Sequence, residues 1–248
     1  MKMTVHNDIF REKLTLALEK NGLSEFATEN ITESLRALTE RMLSVNEYMN
    51  LTAITELDGV ILKHYVDSLM AAKYIPEGAS VIDVGCGAGF PSLPLAIARP
   101  DLKITALDST AKRINYIKET AEMLNTPNIS CIAARAEELG NNTDFRESFD
   151  VSCARAVARL NVLCELCLPF VKQGGKFIAM KANFEEELDE AANAVRKLGG
   201  KQVSADKFSL TPINGDADEP RAVIVIEKIS ETPKNYPRNN SQIKKKPL

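Results

Sequence analysis

A short apolar strand runs straight into three alternating glycines in Val81-Ile82-Asp83-Val84-Gly85-Cys86-Gly87-Ala88-Gly89-Phe90-Pro91, and few architectures accept that order. Glycine has no Cβ, so a turn built from it lets backbone N–H groups approach a ligand closely. Strand, glycine turn and following helix together make the nucleotide-binding corner of an open α/β sheet. A dinucleotide fingerprint wants Gly or Ala at the sixth position, where helix and pyrophosphate pack tightly. Here that position is Phe90, and Pro91 stiffens the exit. The pattern therefore favours a cofactor without a pyrophosphate, such as S-adenosylmethionine, over NAD.

The rest of the chain is ordered around this corner. From about residue 9 to residue 70 it reads as helices. Phe10, Leu14, Ala17 and Leu18 recur at helical spacing, and a second face uses Ile31, Leu35, Leu38, Met42, Leu43 and Val45, with Thr28 or Asn30 as its cap. A third face follows with Val60, Ile61, His64, Tyr65 and Leu69. After Pro76-Glu77-Gly78 the rhythm changes. Strands are predicted at 80–84, 103–108, 129–133, 149–153, 176–180, 201–210 and 222–229, with helices at 93–98, 112–124, 162–171 and 185–198. This alternation predicts an α/β fold with a mainly parallel sheet covered by helices. The short link before the last strand suits a hairpin, so that strand is expected to run antiparallel. The expected organisation is an N-terminal helical segment packed on the core (1–75), a sheet domain (76–230) and a basic tail (231–248).

Composition narrows the class. The 248 residues carry a formal net charge of −3, which gives no global signal for nucleic acid. The tail differs: Lys234, Arg238, Lys244, Lys245 and Lys246 stand against Glu231 alone. It either steers the protein toward phosphates or serves as a disordered solubilising end. Among five cysteines, Cys164 and Cys167 form a Cys-x-x-Cys pair inside an apolar helical pattern. With only two histidines, one of them His6, neither zinc nor redox chemistry is expected there, and no metal site is predicted. No apolar signal core or run of transmembrane length is present, so the chain reads as cytosolic.

Ligands of an open parallel sheet bind beyond the carboxyl ends of its strands. Gly85, Gly87, Gly89 and Phe90 shape the cofactor turn. Asp83, on the preceding strand, either holds that loop, meets a methionine ammonium group or caps a neighbouring element. Asp108 ends the second strand 19 residues after Gly89, where a carboxylate accepts from a ribose diol. Its alternative role is the cap of the next helix, which Ser109 and Thr110 can also supply. Ala136 and Glu137 follow the third strand, either reading an adenine edge or starting a surface helix. Arg155 comes just after the fourth strand, suited to cofactor or substrate phosphate, and Arg159 and Lys181 would extend a positive rim. His64 and Asp67 are three apart on one helical face, so Asp67 either orients His64 toward a substrate or the pair holds the domain junction. A hydrolytic triad through Ser68 is rejected, because adjacent Asp67 and Ser68 diverge on a helix.

Together these segments resemble the bacterial 16S ribosomal RNA guanine-N7 methyltransferases of the glucose-inhibited division protein B family. The resemblance runs from Asn50-Leu51-Thr52-Ala53-Ile54 and His64-Tyr65-Val66-Asp67-Ser68-Leu69 through the glycine run, Leu107-Asp108-Ser109 with Lys112-Arg113, Arg135-Ala136-Glu137 and Ala154-Arg155-Ala156, to Thr232-Pro233-Lys234-Asn235-Tyr236-Pro237-Arg238. It implies a Rossmann-like class I S-adenosylmethionine-dependent methyltransferase sheet. It further implies methyl transfer to N7 of guanine 527 in the 530 loop, with S-adenosylhomocysteine as product, by a cytoplasmic monomer acting on 16S rRNA, the 30S subunit or an assembly intermediate. The family pattern places cofactor contacts at Gly85, Phe90, Ala136, Glu137 and Arg155. The family often has glycine where this chain has Ser92, and serine still permits a tight turn or an N-cap. No catalytic acid–base residue is expected, because N7 carries a free lone pair. His64, Asp67, Arg159, Lys181, Lys234, Arg238 and Lys244 to Lys246 are the RNA-binding candidates. The rival readings are a small-molecule methyltransferase with the same cofactor, an RNA-binding module without transfer activity and, more distantly, an NAD oxidoreductase.

Overall fold

The computed structural model describes residues 7–182 and 184–248, so His6 and the first six residues of the expected helical segment lie outside the described residues. Seven strands form one sheet in the order β3-β2-β1-β4-β5-β7-β6. They are β1 (Ser80–Val84), β2 (Lys103–Asp108), β3 (Ile129–Ala133), β4 (Phe149–Arg155), β5 (Val171–Lys181), β6 (Gly200–Leu210) and β7 (Glu219–Lys228). β1 pairs in parallel with β2 and β4, β2 with β3, and β4 with β5. β7 inserts antiparallel between β5 and β6, as the short link to β6 predicts.

Each strand alternates its side chains between two apolar layers. Val81, Ile104, Val151, Ile178 and Val223 face one layer, while Ile82, Leu107, Ala154, Phe177 and Ile224 face the other. The first layer is covered by α1 (Asn7–Lys20), α2 (Glu29–Met49), α5 (Ser92–Ala98) and α6 (Ala111–Met123). Phe10, Leu14, Leu35, Leu38 and Met42 are all fully buried in it, so the N-terminal helices share one core with the sheet. Burying such a side chain stabilises by about 1.5–3 kcal/mol. Thr28, not Asn30, is the N-cap of α2, its hydroxyl accepting from the Ile31 N–H. The second layer is covered by α7 (Ala136–Leu139), α8 (Leu160–Cys167) and α9 (Glu185–Lys197). Cys164 and Cys167 are buried within α8, and burial pushes both thiols up.

Three local features differ from the predicted elements. The third helical face is a continuous segment of α3 (Leu57–Val60), a π-helical stretch Ile61–Val66 and α4 (Asp67–Leu69). The helix predicted at 162–171 starts at Leu160 and stops at Cys167, and a 3-10 turn Leu168–Phe170 containing Pro169 leads into β5. Gly174 and Gly175 lie inside β5, in a bulge where the β4 partner moves from Val171 opposite Phe149 to Lys176 opposite Val151. A Cβ on Gly175 would lie 2.5 Å from the Asp150 carbonyl oxygen, so only glycine fits.

The tail is folded onto the body. Tyr236 and Ile243 are buried, and α10 (Asn240–Lys245) is capped by the Asn239 side chain on the Gln242 N–H. Arg146 donates to the carbonyls of Thr232 and Tyr236 at 2.7 and 2.8 Å. The disordered reading of the tail is thereby corrected: its Pro- and Asn-rich backbone finds partners on the second layer. No helix among the described residues is long and apolar enough to cross a membrane.

Candidate cofactor cavity at the strand ends

A cavity of about 980 Å³ opens beyond the carboxyl ends of β1, β2 and β4. Its floor is the glycine turn. Gly85, Gly87 and Gly89 all have positive φ (76, 58 and 90°), which accounts for glycine at each. A Cβ on Gly89 would strike Leu93 at 2.6 Å, whereas one on Gly87 would meet nothing closer than 4.0 Å. The missing Gly87 side chain therefore leaves room in the cavity itself.

The Gly85, Cys86 and Gly87 N–H groups of the turn are not free, contrary to the sequence expectation. Gly85 and Cys86 both donate to the Leu107 carbonyl, at 2.8 and 3.0 Å, and Gly87 donates to Asp108 Oδ2 at 3.1 Å. The Gly85 and Cys86 donors extend the β1–β2 ladder past Val84, and the Gly87 donor is taken by the Asp108 side chain, so none of the three faces a ligand. Among the described residues, the turn offers close backbone approach without the row of N–H donors that a phosphate needs.

Asp83 is buried under the turn and does not line the cavity. Its Oδ2 accepts from both the backbone N–H (3.1 Å) and the hydroxyl of Ser92, tying β1 to the first residue of α5. Of the three roles open for Asp83, the loop-holding one is what its contacts describe. Ser92 is accordingly not an N-cap, a position held by Pro91. Burial pushes the Asp83 carboxyl up to about 6, against the Ser92 hydrogen bonds and the Arg155 charge, which favour its ionised form.

Asp108 and Glu137 do line the cavity. Asp108 Oδ1 accepts from the Thr110 N–H at 2.8 Å, so it bonds the helix start as well as the glycine turn. Carboxylate oxygens accept more than one hydrogen bond, so capacity toward the cavity remains. Ala136 and Glu137 are the first residues of α7, where backbone N–H groups have no intrahelical acceptor. Glu137 is buried, with Oε1 lacking a hydrogen-bond partner among the described residues and Arg135 3.9 Å away.

The opposite wall is aromatic and ionic. His64 stacks on Phe90, and the Arg155 guanidinium lies 5.5 Å from the centre of the same ring. Arg155, the last residue of β4, donates to the Lys63 carbonyl at 2.6 Å and to Asp67 Oδ2 at 2.9 Å. Asp67 also meets Arg221 Nε at 3.3 Å, and Arg221 and Lys63 both pair with Glu219, at 2.9 and 2.8 Å. His64 and Asp67 thus do not form the pair expected from their spacing. His64 Nε2 is 3.0 Å from the Thr52 hydroxyl instead, and its Nδ1 has no partner among the described residues. They lie across the junction of a π-helical stretch and α4, and Asp67 turns toward the two arginines. Burial, and secondly the Arg155 charge, lower the His64 pKa to about 3, so the ring is neutral at physiological pH.

The positive rim is less free than the sequence predicts. Lys181 is largely buried, paired with Glu187 at 2.7 Å and donating to the Ala158 carbonyl at 2.7 Å. Arg159 pairs with Glu190 at 2.6 Å on the surface. Arg238 is held by the fully buried Glu165 at 2.6 Å. Lys234, Lys244, Lys245 and Lys246 are exposed with no ion pair among the described residues, and Lys244 borders the cavity. Sequence reasoning missed Arg221 and Lys63. The one signal for Arg221 was a cation at the start of the apolar run 222–226.

Fold comparisons give the class. M. jannaschii TYW2 in complex with AdoMet superposes with a TM-score of 0.52 at 16% identity, over 66% of this chain and 75% of that one. An S-adenosylmethionine-dependent O-methyltransferase from Thermotoga maritima gives 0.50 at 14% identity, over 77% and 72%. The chain has the Rossmann-like fold of S-adenosylmethionine-dependent methyltransferases. The family model described as GidB, rRNA small subunit methyltransferase G, matches residues 31–213. Proteins named ribosomal RNA small subunit methyltransferase G from Staphylococcus carnosus and Lactobacillus acidophilus are 50% identical over 213 residues and 40% identical over 242. Those matches cover 84% and 96% of this chain and 87% and 98% of the relatives. The chain belongs to this family of rRNA methyltransferases.

Proposed function

We propose that the protein transfers a methyl group from S-adenosylmethionine to N7 of guanine 527 in the 530 loop of 16S rRNA. The observation that carries the cofactor half is the glycine turn. Its Gly85, Cys86 and Gly87 N–H groups are already donating to Leu107 and Asp108, so it suits a ligand that approaches the backbone closely without a pyrophosphate. The acids in and beneath the cavity, Asp108, Glu137 and Asp83, would repel a dinucleotide's phosphates and tolerate a cationic sulfonium. Membership of the family supports the rRNA half.

In this reading Gly85, Gly87 and Gly89 shape the bed of the cofactor and Phe90 walls it. Asp108 accepts from the ribose hydroxyls, and Ala136 and Glu137 meet the adenine edge. Arg155 supplies positive charge at the methionine end, and Asp83 acts from beneath by fixing the turn to α5. S-adenosylmethionine supplies a methyl carbon made electrophilic by its sulfonium sulfur. Guanine N7 presents its lone pair in the major groove without losing a proton. The residues therefore act by alignment and field and not by proton transfer. A neutral His64 with its Nε2 beside the Thr52 hydroxyl fits a wall better than a base.

The same reading has the protein working in the cytoplasm as a monomer, on rRNA, the 30S subunit or its precursor. Radiolabelled methyl transfer to 16S rRNA lacking the modification, followed by mapping of the product base, tests it. Label at N7 of guanine 527 is the expected result. Label at another nucleotide, only in a small metabolite, or nowhere despite cofactor binding overturns it.

A further inference from the structure

The segment after β4 is built in a way that cofactor binding alone does not require. Ala156 has φ of 55°, a left-handed conformation that a residue with a Cβ adopts at some cost. That turn brings Val157 back over the glycine bed. A Cβ added to Gly85 would sit 2.7 Å from Val157 Cγ2, so the valine rests directly on the glycine backbone. Even so, 40% of Val157 is exposed, and it borders the cavity.

Both ends of this turn are anchored. On one side Arg155 is fixed to the Lys63 carbonyl and Asp67. On the other the Ala158 carbonyl accepts from Lys181, whose partner Glu187 also accepts from the Leu160 N–H at 2.7 Å. A strained residue persists only where its surroundings over-determine it, and such sites cluster where a ligand is gripped. Here the product of the strain is an apolar side chain held against the glycine turn that lines the cavity and still reaches solvent. Asp108 and Glu137 line the same cavity as buried groups, whereas Val157 lines it half-exposed.

We propose that Val157 is a substrate-contact residue, giving the flat face of the target purine an apolar platform over the glycine turn. This rests on the reading of the protein as an RNA methyltransferase and adds the residue that positions the base. A purine's faces are apolar while its hydrogen-bonding groups lie on the edges, so a fixed branched side chain orients the ring and leaves N7 unobstructed. The surface cations supply affinity for phosphates, which carries no base alignment.

The test compares wild type with Val157→Ala and Val157→Thr. Calorimetry reads S-adenosylmethionine binding, and radiolabel incorporation reads kcat/KM on unmodified 16S rRNA. The fluorescence of an RNA hairpin carrying 2-aminopurine at the target guanine, with S-adenosylhomocysteine present, reads base docking. Val157 is exposed, so thermal midpoints should stay within about 2 °C. Val157→Ala is expected to lower kcat/KM about tenfold and to reduce the fluorescence change in parallel, with cofactor affinity held within about twofold. Val157→Thr, of equal shape, should fall between the two. An equal loss of cofactor affinity would make Val157 a cofactor contact and overturn the proposal, as would unchanged transfer and fluorescence. Wild-type docking that depends on Val157 without methyl appearing on guanine would keep the contact and remove the transfer reading instead.

Discussion

The imidazole of His64 lies flat on the Phe90 ring, with 4.3 Å between centroids and 9° between planes. Phe90 is the residue that departs from a dinucleotide fingerprint, and His64 comes from the N-terminal helical segment. The stack therefore joins that segment to the end of the glycine turn.

This stack gives a pH signature. The His64 pKa is lowered from 6.5 to about 3 in the folded protein, so its contribution is complete above pH 6.5 and is lost as pH falls toward 3. The loss is at most about 1.4 kcal/mol per pH unit in that window. His64→Gln, which can still reach Thr52, should show a shallower decline in urea-unfolding free energy between pH 6.5 and 4. Its methyl-transfer pH profile should lack the change expected from a missing base.

Asp83 works in the opposite direction. Its folded pKa is raised from 3.8 to about 6, so its favourable contribution is present below pH 3.8 and lost as pH rises through 6. Asp83→Asn keeps an acceptor for Ser92 and removes the cost of charging a buried carboxyl. The variant should gain on wild type by up to about 3 kcal/mol as pH goes from 4 to 7. A constant difference across that range would refute the assignment.

Gly87→Ala and Gly89→Ala separate binding from folding. At Gly87 the added methyl points into open cavity, so stability should fall by only about 1–2 kcal/mol for the left-handed backbone, with cofactor affinity reduced at least tenfold. At Gly89 the methyl meets Leu93 at 2.6 Å, and the thermal midpoint itself should drop.

Removing Arg238 strands a fully buried carboxylate. Arg238→Ala should cost about 3 kcal/mol in unfolding free energy and expose the tail to limited proteolysis. Replacing the pair together, as Glu165→Leu with Arg238→Met, should recover most of that loss.

The exposed lysines predict a salt effect. Neutralising Lys234, Lys245 and Lys246 to Gln should reduce the slope of log binding constant against log salt by about 0.7 for each single-stranded RNA phosphate that a lysine no longer neutralises. Calorimetric S-adenosylmethionine binding should not change, since none of the three borders the cavity.

The sheet was readable because each buried strand is a short apolar run set off by turns, and because the glycine turn marks β1. What escaped were features fixed by long-range partners. A π-helical stretch has the same residue types as an α-helix, so the redirection of Asp67 from His64 to Arg155 and Arg221 left no local trace. The commitment of the Gly85, Cys86 and Gly87 N–H groups depends on where β2 ends. Glu165 looks like a surface residue of α8 until Arg238 arrives from 73 positions away. In the tail the charges were legible and the ordering was not, because Tyr236 and Ile243 are isolated apolar residues in a polar stretch.

The interior that α1 and α2 share with β1, β2 and β7 leaves the leading helices with no inside of their own. A fragment begun at β1 would strip the side of α5 on which α2 and α4 pack, and the severed helices would bare Phe10 and Leu38. The wall that carries His64 therefore cannot loosen alone: heat would dissolve cap and sheet in one event, and an exchange of caps between relatives would succeed only with the matching strand faces.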